Sequence, residues 1–86
     1  MTITKRTVAA QIASYLRHDL SLADLVDWAE RALMDADFDP SDAAILAAVV
    51  ARLGVSDVRA FGLTWEDCEA ALATLGFTAR VEIVAA

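Results

Sequence analysis

The sequence predicts a mainly α fold: a compact four-helix domain with a short fifth helical turn and a C-terminal β-strand, spanning residues 1–86 as a single domain. Three observations carry that prediction. Apolar residues recur at i, i+3, i+4 and i+7 in four separate stretches, the signature of helices with one buried face. Beyond Gly76 the period shortens to two, as in a strand. Finally, 58% of the 86 residues are hydrophobic against a formal charge of only −6, too apolar a balance for a disordered chain. At this length one modest core is the limit, which leaves little room for a deep catalytic cleft.

Val8, Ile12, Tyr15 and Leu16 recur at helical spacing between Lys5 and Arg17, with Ala9 and Ala13 widening the stripe, and define the first helix. Ser21 stands three residues before Asp24 and just ahead of Leu22, Leu25, Val26, Ala29, Ala32 and Leu33. That arrangement caps and starts a second helix, from Leu22 to Asp35. Asp39-Pro40-Ser41-Asp42 offers an N-cap, a proline at the first helical position and an acid near the positive end of the dipole. A third helix is expected from there to Leu53, with Gly54 as its stop. Ser56 to Phe61, capped by Ser56 and closed by Gly62, has room for one helical turn. Thr64 and Asp67 form a cap-and-N3 pair ahead of Trp65, Cys68, Leu72 and Leu75, the fourth full helix, with Gly76 as its stop. Phe77, Ala79, Val81 and Ile83 then alternate with Thr78, Arg80 and Glu82 in the predicted strand.

A lone strand leaves its backbone groups unpaired, so it needs a partner. Three are open: the Thr2–Thr4 stretch, the same strand of a second copy, or a target protein. The third helix is apolar almost all round, with Ile45, Leu46, Val49, Val50 and Leu53 pointing in several directions and Arg52 its one charge after Asp42. Such a helix is either central to the bundle, the preferred reading, or the seal of a dimer.

The lone Cys68 excludes an intrachain disulfide and a multi-Cys zinc site, so a cytoplasmic location is expected. No continuous apolar region follows Lys5 and Arg6, as a secretory signal would require. The longest apolar run, Ala43 to Ala51, is far short of the ~20 residues needed to span a membrane.

Charge is unevenly spread. Residues 1–18 carry three basic side chains and no acid, whereas residues 19–42 carry eight acids against Arg31 alone. That field repels phosphate and attracts basic surfaces, which argues against direct nucleic-acid binding and for a basic protein partner. The candidate docking residues are Asp24, Asp27, Trp28, Glu30, Asp35, Asp37, Asp39 and Asp42. Trp28 joins the acids because it lies beside the main apolar stripe of its helix, half exposed, where large aromatics act as interface anchors. Trp65, in line with Cys68 and Leu72, is expected in the core. Asp35, Asp37 and Asp39 open like a calcium loop, but Pro40 stands where the sharp turn needs Gly and Leu46 where the bidentate Glu belongs, so an EF-hand is excluded. His18 and Cys68 are the one base and thiol that could pair, with no orienting group or oxyanion hole in evidence, so no catalytic residue, metal or cofactor is expected.

Leu25-Val26-Asp27-Trp28-Ala29-Glu30 and the segment from Asp57 to Cys68, DVRAFGLTWEDC, resemble a group of small stand-alone bacterial proteins to which no activity is assigned. The resemblance implies a bacterial or phage origin and carries no functional residue with it. In size, acidity and helix content the chain is also similar, by class alone, to immunity proteins, antitoxins and phage inhibitors of the anti-CRISPR kind. The expected function is a non-enzymatic inhibitor that occludes a basic partner; the alternative is a structural or regulatory subunit that homodimerises through the C-terminal strand and third helix.

Overall fold

The computed structural model describes residues 2–85. Its elements run β1 (Thr2–Ile3), α1 (Lys5–Leu16), α2 (Leu22–Asp35), β2 (Asp37–Phe38), α3 (Ala43–Gly54) and α4 (Trp65–Thr74). A mainly helical, four-helix molecule is therefore what the sequence builds.

The helix starts are capped by the residues that chemistry favours. Ser21 Oγ accepts from the Asp24 amide at 3.1 Å to open α2. At α4 the capping box is reciprocal: Thr64 Oγ1 accepts from the Asp67 amide and Asp67 Oδ2 from the Thr64 amide. Thr64→Ala should cost about 1 kcal/mol, read as a lowered denaturation midpoint; an unmoved midpoint would mean that α4 does not depend on this cap. α1 has a box that the sequence pattern did not reveal, built from Thr4 and Thr7 rather than from an acid.

α1 and α4 end alike, with two backbone bonds closing the last turn around a left-handed residue. In α4 that residue is Gly76, at φ +88, with Phe77 N–H reaching back to Leu72 O at 2.8 Å. In α1 it is His18, at φ +66, with Asp19 N–H bonded to Ser14 O and His18 N–H to Tyr15 O. A side chain at that φ costs about 1 kcal/mol relative to glycine. His18→Gly should therefore raise the melting midpoint, and a fall would show that the exposed imidazole makes a contact of greater value.

Three boundaries differ from expectation. α3 begins at Ala43 rather than at Pro40, because the Asp39 carboxylate accepts from both the amide and the hydroxyl of Ser41 and holds 39–42 as a turn. Gly54 remains the last helical residue of α3, and Val55 takes the cap. Residues 55–61 are consecutive turns rather than a fifth helical turn. Ser56 does not cap forward there: it is buried, its hydroxyl donating back to Arg52 O at 3.1 Å.

Parallel pairing joins β1 to β2, Thr2 opposite Asp37 and Ile3 opposite Phe38, with Asp39 N–H bonded to Ile3 O at 2.9 Å. The Thr2–Thr4 stretch thus has a partner, but not the C-terminal segment. Ile3 is fully buried and Phe38 packs on the core, so the pair is held by side chains more than by its short ladder.

The predicted strand over 77–83 is absent. Burial alternates with a period of two from half-buried Phe77 and Ala79 to exposed Thr78 and Arg80, and then stops: Val81 is 67% exposed and Ile83 95%. Val81 borders the groove beside α1 and α4 without being enclosed by it, and Ile83 stands almost wholly in solvent.

One core joins Ile3, Val8 and Ile12 to Leu25 and Ala29, to Leu46, Val49, Val50 and Leu53, and to Cys68, Leu72 and Leu75. α3 takes the central place, packed most extensively on α2 and also against α1 and β2, while α4 rests on α1. Among the described residues, no helix is long and apolar enough to cross a membrane.

Candidate protein-binding site

Helical geometry divides the acidic segment. At ~100° per residue, Asp24, Trp28, Arg31 and Asp35 follow one flank of α2, whereas Glu30 falls on the opposite flank. A Cβ built on Gly54 of α3 would lie 3.9 Å from Glu30 Cγ and from Leu33 Cδ1, which places Glu30 along the α2–α3 seam. Asp27 faces outward between the two flanks. Asp24, Asp27, Glu30, Asp35 and Asp37 are all exposed, and none belongs to the ion pairs found among the described residues.

Asp39 and Asp42 are already occupied. Asp39 is fixed by Ser41, whose hydroxyl and amide hold its carboxyl below the ordinary carboxylate range. Asp42 lies 3.4 Å from Lys5 Nζ, pinning the start of α3 to the start of α1. Of the eight residues expected to dock a partner, these two serve the fold.

Trp28 is half-buried, packed on the core by one side. With Arg31, Ala32, Asp35 and Ala36 it lines a shallow cleft of about 360 Å³ on the flank of α2. The site therefore has an aromatic anchor bordered by an acid and one guanidinium, continuing through Asp37 on β2.

The expectation for Trp65 is corrected. It is half-buried and lies outside the core. It is the first residue of α4, and side chains there lean toward the helix N-terminus, where no further turn of the helix covers them. Two grooves meet at this ring: one of about 400 Å³ lined by Tyr15, Leu16, His18 and Leu63, and one of about 560 Å³ between α1, α4 and residues 77–82.

The thiol and the imidazole do not meet in either groove. Cys68 is fully buried, and burial first, then the Asp67 charge, raises its pKa, the reverse of what a nucleophile requires. Among the described residues, no group of three or more His, Cys, Asp or Glu side chains is placed to hold a metal ion.

Sequence reasoning missed Arg52. Its guanidinium bonds Ser56 Oγ and Gly62 O, both at 3.0 Å, lies 3.4 Å from Asp67 Oδ2, and sits 5.5 Å from the Phe61 ring centroid. The signal was present, since Arg52 is the one charge on an otherwise apolar helix. Compared with known protein families, with curated proteins and with solved structures, the chain matches none.

Proposed function

We propose that this protein is a non-enzymatic binding module that occludes a basic protein partner, in the manner of immunity proteins, antitoxins and anti-defence inhibitors. The observation that supports this is the α2–β2 face, where the exposed carboxylates of Asp24 and Asp35 share a flank of α2 with the half-buried ring of Trp28, Asp27 stands outward beside them and Asp37 follows on β2, none of them in an ion pair found among the described residues. An aromatic that is partly desolvated before binding is a ready hot spot, and unneutralised acids around it steer a cationic surface toward it. The single buried Cys68 needs no oxidising compartment, which fits a cytoplasmic setting.

The test leaves Asp39 and Asp42 intact, because reversing them would undo the entry to α3. Asp27→Lys, Asp35→Lys and Asp37→Lys together should keep the melting temperature and helical circular dichroism. At low salt, crosslinked capture from the native host should recover a basic protein with the wild type and lose it with the triple variant. Capture by the wild type should also weaken as salt rises, since exposed charges are screened beyond ~8 Å at physiological ionic strength. Equal recovery by both proteins at low salt would remove the reading.

A further inference from the structure

We propose that residues 78–84 form a two-fold interface with the same segment of a second copy, as antiparallel strands centred on Val81. Among the described residues, segment 78–85 makes no backbone hydrogen bond, leaving a row of donors and acceptors in a stretch whose side chains alternate apolar and polar. Its larger apolar side chains stand mostly in solvent: Val81 is 67% exposed, Ile83 95% and Val84 75%. β1 does not pair with this segment; its partner is β2.

Charge selects the second copy as occupant. Arg80 and Glu82 flank Val81, and neither belongs to an ion pair found among the described residues. In an antiparallel pair centred on Val81, Arg80 of one copy stands opposite Glu82 of the other, and the symmetry makes the contact twice. The same register sets Val81 against Val81 and Ala79 against Ile83 of the second copy. Ala79 is half-buried and lines the groove of about 560 Å³ with Ala9, Ala13 and Leu16. Ile83 of the second copy then extends that apolar lining instead of standing in water. A parallel pairing in register would oppose Arg80 to Arg80 and Glu82 to Glu82, so the charges also fix the direction. No residue of α3 is required, nor any residue of the acidic α2–β2 face.

Sedimentation equilibrium of the full chain tests this. The wild type should be dimeric at sub-millimolar concentration. Arg80→Glu alone and Glu82→Arg alone should each weaken the dimer about tenfold or more, because two attractive cross-strand pairs become two repulsive ones. The double exchange should restore the dimer, and an equimolar mixture of the two single variants should form a heterodimer. Val81→Cys should crosslink across the two-fold axis under mild oxidation, with buried Cys68 silent, while Ile83→Cys should not. A wild type that stays monomeric, single reversals without effect, a double exchange no better than the singles, or a dimer in which Val81→Cys fails to crosslink would each overturn the proposal.

Discussion

Ile3→Ala should destabilise the protein by about 2–4 kcal/mol, a large share of a small domain's total stability, although Ile3 sits at the edge of the chain in a strand of two residues. Its side chain is fully buried in the one core, so truncation both withdraws transfer energy and leaves a cavity that α1 and α3 can collapse only partly. Loss of the anchor also frees β1. The Asp39 amide, bonded to Ile3 O at 2.9 Å, should then exchange with solvent at a rate set by local opening rather than by global unfolding. Thr2→Ala, at the exposed position of the same strand, should change neither quantity. An Ile3→Ala protein with a wild-type midpoint would mean that β1 is not part of the cooperative unit.

Arg52→Met should cost about 2 kcal/mol, with the damage confined to residues 55–67. Methionine keeps the apolar stem on α3 and removes the guanidinium that ties Ser56, Gly62 and Asp67 together. The bond from a charged donor to the Gly62 carbonyl carries most of the cost. The Asp67 pair adds little, because both side chains are more than a third exposed and screened by water. Arg52→Lys should recover less than half, since one ammonium cannot reach three acceptors in the directions that the planar fork serves. Hydrogen exchange should show opening at Phe61 and Gly62 while α2 keeps its protection. A midpoint shift within about 0.5 kcal/mol would demote Arg52 to an ordinary surface residue.

Acid should weaken the same region. The Asp67 carboxyl is held below its ordinary pKa, first by the Thr64 amide, then by the Thr64 hydroxyl, and least by the charge of Arg52. A carboxyl depressed in the folded state stabilises fully above its unfolded pKa, near 4, and its contribution disappears as pH falls through the lower folded value. Asp67→Asn should therefore flatten the decline in stability below about pH 4; an identical acid profile would place the sensitivity elsewhere.

Local chemistry made the helices legible. Ser21, Thr64 and Gly76 do what their neighbours in sequence imply, because caps and left-handed stops are decided within one turn. Reading failed where a distant residue decides. The hydroxyl of Ser56 had a cap to offer and was taken by Arg52, one turn back, to close a loop. Phe38, set between Asp37 and Asp39, carries no strand signal of its own, and it becomes part of one by pairing with the buried Ile3. Alternation over 77–83 suggests a strand that the structure does not form, because a pattern says nothing of what pairs with it and a ladder is completed by another piece of chain. The candidate site was half legible: the sequence places the acids, whereas the geometry shows that Asp39 and Asp42 are spent on the fold.

The parallel register of β1 and β2 has a practical consequence. Thr2 lies opposite Asp37 with both strands running the same way, so the start of β1 adjoins the end of α2, where Asp35 and Ala36 line the cleft beside Trp28. An affinity handle fused close to that point would compete with the cationic partner proposed above for the carboxylates beside Trp28, and a polyhistidine or lysine-rich leader would partly neutralise them. A handle appended after Ala86 would adjoin the proposed Val81 two-fold instead. An exposed position such as Arg59, in the turns between α3 and α4, offers a labelling site remote in sequence from both proposed surfaces.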